Sequence, residues 1–299
     1  MINLLFVGSN GFLGKNVLPL LKQNEYAITT LDISNADINA DLSKEIPQFS
    51  QSYDIVFHTA GKAHSVPKND AEAKIFFDVN LKGTQNLCAG LEKAGLPNSF
   101  IFISTVAVYG CEVGENISED YPLNGTSPYA LSKIQAEEFL TDWAKKNNVI
   151  LTIFRPSLIA GKNPPGNLGA MINGIKTGKY LSIGGGKAQK SVILANDLAV
   201  LISKAASQGG IYNVCDNHNP SFRELEQLIA QQLNKKMPKS IPFGVAKFIA
   251  EMGDLLGSKA LLNSDKLEKI TKSLIFSNEK AKKQLAWQPT DVLSNFKIS

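Results

Sequence analysis

Short, almost continuously apolar runs alternate with longer helix-like segments through the first half of this chain, and that alternation limits its fold more than any other feature. Asn3 to Val7, Ala27 to Leu31, Asp54 to His58, Ser99 to Ser104 and Ile150 to Phe154 read as strands. Strands joined through helices form a parallel sheet covered on both faces, and such strands are apolar throughout, as LLFVG, DIVFH, FIFIS and LTIF are. The expected class is α/β, a doubly wound parallel sheet. Right-handed crossovers place the C-terminal ends of these strands on one edge, where ligands bind in such sheets.

After Pro156 the pattern changes to a loop rich in Gly, Pro and Asn (Gly161 to Gly169), a helix-like stretch and a glycine run at Gly184 to Gly186. A dinucleotide-binding domain over residues 1–155 is therefore expected, followed by a smaller, interleaved cap over 156–299. Gly210 to Val214 would return from the cap to the sheet.

The glycines Gly8, Gly11 and Gly14 follow the first strand and open a helix-like stretch, in the run Gly8-Ser9-Asn10-Gly11-Phe12-Leu13-Gly14. In a dinucleotide fold the first glycine permits the tight turn, the second lets backbone approach a pyrophosphate, and the third lets helix and strand pack closely. Asp32 ends the next strand, and 32 minus 11 puts it 21 residues past the middle glycine, near the spacing of about 20 for a ribose-binding carboxylate. A carboxylate accepts from a ribose 2′-hydroxyl and repels an extra phosphate. Ile33, Ser34 and Asn35 offer no Arg to pair with one, so NAD is favoured over NADP.

Downstream stands Tyr129 with Lys133 in YALSK. A phenol titrates near pH 10 in water, so a tyrosine that moves protons near neutrality needs help. Residues i and i+4 share a helix face, which would set the Lys133 ammonium beside the Tyr129 ring to favour phenolate. A hydroxyl at the end of the Ser99 to Ser104 strand, Thr105 or Ser104, would bond the reacting oxygen.

Composition narrows the partners. The 299 residues are 43% hydrophobic and 19% charged, which excludes disordered and fibrous classes, and the net charge of +4 (31 basic minus 27 acidic residues) has no block of like charge to attract nucleic acid. Cys88, Cys111 and Cys215 are widely spaced packing residues that suit a reducing, cytoplasmic compartment. MINLLFVG is too short for a signal peptide and ends at the glycine loop. The stretch Ile241 to Leu262 is interrupted by Lys247, Glu251, Asp254 and Lys259, so it reads as amphipathic and packed, with no membrane partner expected. Scattered His and Cys without HExxH or CxxC give no metal site. His58 reads as buried at a strand end, and His218 is assigned no role.

These residues resemble the extended short-chain dehydrogenase/reductase family, the NAD-dependent nucleotide-sugar epimerases, dehydratases and reductases, over nearly the whole chain. GSNGFLG resembles the family's GxxGxxG loop and Asp41-Leu42 its adenine-contacting pair. HTAGKAH is similar to the HxAA strand end, which implies that Thr59, Ala60 and Gly61 line the cofactor cleft. Asn80 in VNLKGTQNL resembles the VNxxGTxN helix. STVAVYG resembles S[ST]xxVYG, with Thr105 as the catalytic hydroxyl four residues before Tyr109. Tyr129 and Lys133 match YxxSK, and Arg155-Pro156 the RP strand end beside the nicotinamide. In the cap, Asn167-Leu168 resemble a diphosphate-contacting pair, Asp197-Leu198-Ala199 a DLA segment, and SNEKAKKQLAWQP the closing LGWxP signature.

The resemblance also bears on the reaction. Dehydratases of the family carry Asp-Glu after the catalytic Thr, where this chain has Val106-Ala107. What remains is exchange of alcohol and ketone at C4 of a nucleotide sugar, by a 4-epimerase or a 4-reductase. Two features lean toward the reductases: HTAGKAH and KLEKITKSL are similar to segments of 4-reductases and 4-epimerases of UDP-4-keto-6-deoxy-N-acetylhexosamines, enzymes of surface polysaccharide synthesis. His64 is implied in the sugar pocket. Where relatives present an Arg to the diphosphate, this chain has Lys190, which keeps charge and loses the bidentate fork. The alternatives are a non-nucleotide alcohol substrate and a non-catalytic NAD(H) sensor. Relatives often form homodimers through the YxxxK helix. Here Ile134, Ala136, Phe139 and Leu140 would serve that contact or burial within the monomer.

Overall fold

A computed structural model describes residues 1–23, 26–255 and 262–298. In chain order its first half runs β1 (Ile2–Val7), α1 (Phe12–Leu21), β2 (Tyr26–Asp32), β3 (Ile38–Asn39), β4 (Ile55–His58), α2 (Asp70–Phe77), a π turn (Asp78–Lys82), α3 (Gly83–Ala94), β5 (Ser99–Ile103), a 3₁₀ turn (Val106–Tyr109), β6 (Gly114–Ile117) and α4 (Pro128–Asn147). The second half runs β7 (Ile150–Pro156), β8 (Leu158–Ala160), α5 (Gly166–Lys176), β9 (Leu181–Ile183), β10 (Val192–Leu194), α6 (Ala195–Ala205), β11 (Gly210–Val214) and α7 (Phe222–Gln232). It continues with β12 (Lys239–Ile241), α8 (Phe243–Asp254), α9 (Ser264–Thr271), β13 (Leu274–Phe276), α10 (Glu279–Gln284) and α11 (Val292–Asn295).

Seven parallel strands form one sheet in the order β11-β7-β5-β4-β1-β2-β3. The period of two in each strand divides the core: Leu4 and Phe6 face α1 and α6 with Phe57, Ile101 and Phe154, while Leu5 and Val7 face α3 and α4 with Val56, Phe100 and Phe102. Both faces are dry along β1 from Leu4, β4 and β5, which is why these strands read as near-continuous apolar runs. The five expected strands are present to within two residues at either end, and β11 returns to the sheet from the second half as anticipated.

Two differences are informative. The expected loop at 161–169 ends early, because α5 starts at Gly166. A Cβ at Gly169 would lie 2.1 Å from the Pro164 carbonyl, so that glycine serves close packing inside a helix rather than a loop. The second concerns 241–262, of which 256–261 lie outside the described residues. Its helix α8 is amphipathic, but only Ala246, Ala250 and Gly253 are buried, while Phe248 and Met252 are 66% and 55% exposed. Among the described residues no helix is long and apolar enough to cross a membrane.

The cap packs α5, α7 and α11 around Leu168, Met171, Leu225 and Ile229. It is stitched to the sheet domain by β13, which pairs with β6 just after the 3₁₀ turn. Trp287 of LAWQP is 1% exposed and fills the α1/α6 face of the sheet.

Candidate active site

The glycine loop is shaped by contact distances. Gly8 has φ +91°, and a Cβ there would lie 2.5 Å from the Ala60 nitrogen; one at Gly14 would lie 2.1 Å from the Ser9 carbonyl oxygen. Both sites therefore admit only glycine. A Cβ at Gly11, by contrast, would meet nothing closer than the Gly8 oxygen at 3.4 Å, so its missing side chain leaves space open at the N-cap of α1. An open backbone at a helix N-terminus is the cradle a pyrophosphate needs. Phe12 and Leu13 start α1, and Leu13 packs on the core.

Asp32 stands beside this loop. Its carboxylate accepts from the Asn10 amide at 2.8 Å and from its neighbour Ile33 at 2.7 Å, while the Asn10 side chain donates to the Ser34 and Asn35 carbonyls. The loop is thus fastened to the end of β2 with the acid at its margin. Asp41 accepts from Ser43 and pairs with Lys44, which holds its carboxyl below the usual range. Leu42 is buried with its carbonyl held by Asn86, so any ligand contact there is made by backbone.

The end of β4 supplies the opposite wall. Thr59 donates to the Val7 carbonyl at 2.8 Å, tying Ala60 against Gly8. A Cβ on Gly61 would fall 3.0 Å from Asn80 Oδ1 and 3.2 Å from Lys133 Nζ, so this glycine brings the wall against the lysine. Asn80 lies in the π turn, 1% exposed; it accepts from the Lys62 amide at 2.7 Å and donates to the Ser132 hydroxyl at 2.8 Å. Wound π segments often re-aim one side chain at a functional site. Here the turn lets Asn80 join the strand end to the helix of Tyr129 and Lys133.

His58 is buried as expected. Its Nε2 meets Thr84 Oγ1 at 2.9 Å, and because that hydroxyl donates to the Asn80 carbonyl, the imidazole must be the donor in its neutral Nε2–H tautomer. Burial, reinforced by the charge of Lys133, lowers its pKa to about 3.

Thr105 follows β5, caps the 3₁₀ turn by accepting from the Ala107 amide, and stands near enough to the Tyr129 phenol to pull its pKa down. Ser104, the other expected candidate, is committed to Glu137 and buried, which leaves Thr105 as the available hydroxyl. Lys133 is 4% exposed; its ammonium donates to the Ile103 carbonyl at 2.8 Å and lies 4.4 Å from the Phe102 ring. Burial pulls its pKa down to about 8, opposed by Glu137 one turn further along α4.

The expected electrostatic pairing needs correction. Burial raises the Tyr129 phenol, and only Thr105 pulls it back, because the Lys133 ammonium is engaged by Ile103 and Phe102 instead. Lys133 thus enters the site as a desolvated cation on the floor of the cleft.

Glu137 was not singled out from the sequence, and Arg155 was read only as half of the RP strand end beside the nicotinamide. They form a fully buried ion pair, with Arg155 Nη2 2.6 Å from Glu137 Oε2, extended to Ser104 on one side and to the Tyr109 hydroxyl at 3.0 Å on the other. Arg155 therefore points into the core, and of the RP pair only Pro156 ends the strand toward the cleft edge. The periodicity of α4 carried the signal, since Glu137 is one turn past Lys133.

In the cap, His64 at φ +58° abuts the start of α5: a Cβ on Gly166 would lie 2.8 Å from its Nδ1. The structure thus joins His64 to the segment bearing Asn167, which is exposed at the helix N-terminus. Leu168 is 2% exposed in the cap core, so its side chain is a packing group and not a ligand contact. Lys190 is half-buried beside β13, its pKa lowered by burial against the opposing charge of Glu112. Among the described residues no cluster of His, Cys, Asp or Glu could hold a metal ion.

Residues 4–215, well over half of the chain, match the NAD dependent epimerase/dehydratase family. The chain belongs to that family. It is an NAD-dependent enzyme of the nucleotide-sugar epimerase and reductase type. It is 30% identical over 93% of its length, and 88% of the relative's, to the N-acetyl-alpha-D-glucosaminyl-diphospho-ditrans,octacis-undecaprenol 4-epimerase of Escherichia coli O157:H7. It is 28% identical to the UDP-glucose 4-epimerase of Vibrio cholerae, over 97% of this chain and 92% of that one. The solved UDP-glucose 4-epimerase of Thermotoga maritima, with UDP-glucose, shares its fold at a TM-score of 0.74 and 20% identity, over 99% and 96% of the two chains.

Proposed function

We propose that Thr105, Tyr129 and Lys133 carry hydride and proton exchange at C4 of a UDP-linked sugar, as a 4-epimerase that retains its NAD. The observation that carries this reading is the meeting of the three groups at the sheet edge occupied by the glycine cradle, with Val106 and Ala107 following Thr105 in place of a second acid and base. Asp32 at the loop margin supports NAD over NADP, and 4-epimerases among the relatives support the position of attack.

NAD bound in the cradle supplies the hydride acceptor and donor. Tyr129 removes the C4 hydroxyl proton as hydride leaves C4, and returns it when hydride comes back to the other face of the ketone. Thr105, beside the phenol, polarises the same oxygen, and the buried Lys133 cation on the cleft floor would hold the nicotinamide ribose. Gly8, Asn10, Gly11, Phe12, Leu13, Gly14, Asp32, Asp41, Leu42, Thr59, Ala60, Gly61, Asn80 and Pro156 would frame the cofactor. His64, Asn167, the backbone of Leu168, and Lys190 would hold the sugar and its diphosphate.

Net 4-reduction is a second reading, favoured by the likeness of HTAGKAH and KLEKITKSL to 4-reductase segments. A polyprenyl diphosphate in place of UDP is the carrier that the relative from Escherichia coli O157:H7 suggests. Either product fits surface polysaccharide synthesis in the cytoplasm, with α3 and α4 forming the homodimer contact. Ile134, Ala136 and Leu140 are buried within the monomer, which leaves half-buried Phe139 as the contact residue from that expectation.

Absorbance at 340 nm with NADH or NADPH and UDP-4-keto-6-deoxy-N-acetylglucosamine, followed by chromatography of UDP-hexose isomers, tests these readings. Isomerisation without net cofactor change supports the epimerase. A stoichiometric loss of NADH over many turnovers would establish the reductase.

A further inference from the structure

Helix α8 carries more apolar surface than its packing uses. At 100° per residue, Ala246, Ala250 and Gly253 share one arc, and the two alanines pack with Leu267 of α9. Lys247, Glu251 and Asp254 share a second arc. Val245, Phe248, Ile249, Met252 and Leu255 make up a third, with the i, i+3, i+4, i+7, i+10 spacing of one helix face, and they are 50%, 66%, 45%, 55% and 82% exposed. Single exposed apolar residues are ordinary on a soluble surface; five in one unbroken stripe mark a contact with an apolar phase.

Charge indicates which phase. Lys179, Lys235, Lys236 and Lys239 are all exposed, and the parallel register that pairs Lys239 with Leu181 gathers them where β9 and β12 begin. Leu181, itself 52% exposed, adds apolar surface there. Among the described residues no carboxylate pairs with these four lysines. β12 passes through Pro242 directly into α8, so the cations and the stripe occupy adjoining parts of the cap. Pairing two copies through this patch would set lysine clusters against each other. An amphipathic stripe flanked by unpaired lysines instead complements a bilayer whose headgroups are anionic.

We propose that α8 and the Lys179, Lys235, Lys236, Lys239 cluster seat the cap reversibly on an anionic phospholipid bilayer. This stands independently of the sugar and of the carrier, and it replaces the expectation of no membrane partner. α8 begins against the glycine turn that leads to Lys190, for a Cβ on Gly184 would lie 3.8 Å from the Phe243 Cβ. The seated face therefore adjoins the segment assigned to the substrate diphosphate.

Co-sedimentation of the full chain with vesicles of phosphatidylcholine, with and without phosphatidylglycerol, tests the proposal. Binding should be at least about tenfold tighter on the anionic vesicles. Phe248→Ser combined with Met252→Ser should weaken it by about tenfold or more, since each change removes buried apolar area. These side chains are exposed, so the melting temperature and the turnover of a soluble UDP-sugar should not change. Lys235→Gln with Lys236→Gln and Lys239→Gln gives a second variant, which should lose the preference for anionic vesicles. Absence of binding by the unmodified chain would overturn the proposal, as would binding that both variants leave intact. A solution dimer that the apolar variant dissociates, with no vesicle binding, would assign the stripe to a second copy instead.

Discussion

The groups proposed for catalysis flank a buried ion pair that takes no part in the proposed reaction. Glu137 reaches Ser104, the neighbour of Thr105, and Arg155, the neighbour of Pro156, from the turn of α4 that follows Lys133. Removing one member leaves a buried charge without a partner, so Glu137→Gln should cost about 3–5 kcal/mol in urea unfolding. Arg155→Met in the same chain should restore part of that loss, because the orphaned guanidinium is gone. Equal and additive losses would show that the two side chains do not act as a pair. His58 makes a pH-dependent prediction. Folding holds it neutral with a pKa near 3, whereas the unfolded imidazole takes a proton below about 6.5, so between these values the unfolded state binds more protons. Stability should therefore fall with acidification across that window, by up to about 1.4 kcal/mol per pH unit from this group, and His58→Leu should flatten the slope by one proton.

Element by element, backbone conformation decides where substitutions are tolerated. Ala286, in the closing LAWQP run, adopts φ +45° with its carbonyl held by Lys204 at 2.9 Å, while Trp287 fills the sheet face beside it. A Cβ in the left-handed region costs about 1–2 kcal/mol, and glycine returns about 0.5–1 of that through the unfolded chain. Ala286→Gly should accordingly raise stability by about 0.5–1 kcal/mol, read as a shift in urea midpoint with unchanged slope. Departure of this alanine from the family's LGWxP was visible in the sequence, but its positive φ was not, since only the path around Trp287 imposes it. The sheet was legible for the opposite reason: strands buried on both faces leave unbroken apolar runs. The π turn at Asp78–Lys82 was not, because its effect is to rotate Asn80 toward Ser132 without altering composition or period. Helix α8 shows a further limit. The sequence reads this stretch as amphipathic and packed, and nothing in its periodicity distinguishes the arc that packs on α9 from the arc that is exposed.

On the scale of the whole molecule, one sheet edge gathers what the chain disperses over more than a hundred residues. The glycine loop after β1, the Thr59 to Gly61 segment after β4, Thr105 after β5 and Pro156 at the end of β7 all arrive there by the parallel topology, and α4 adds Tyr129 and Lys133 through the Asn80 link. The cap closes over this edge from sequence that returns to it repeatedly, through β11, β13 and the contact of His64 with α5. The proposed mechanism depends on Tyr129 as the proton carrier of that edge. The most direct test is Tyr129→Phe, assayed for isomerisation of a UDP-sugar alongside NAD affinity by calorimetry. Loss of turnover by at least about a thousandfold, with NAD affinity within a few-fold of the unmodified chain, is the predicted result. Turnover that survives the change would contradict the mechanism and remove Tyr129 from it.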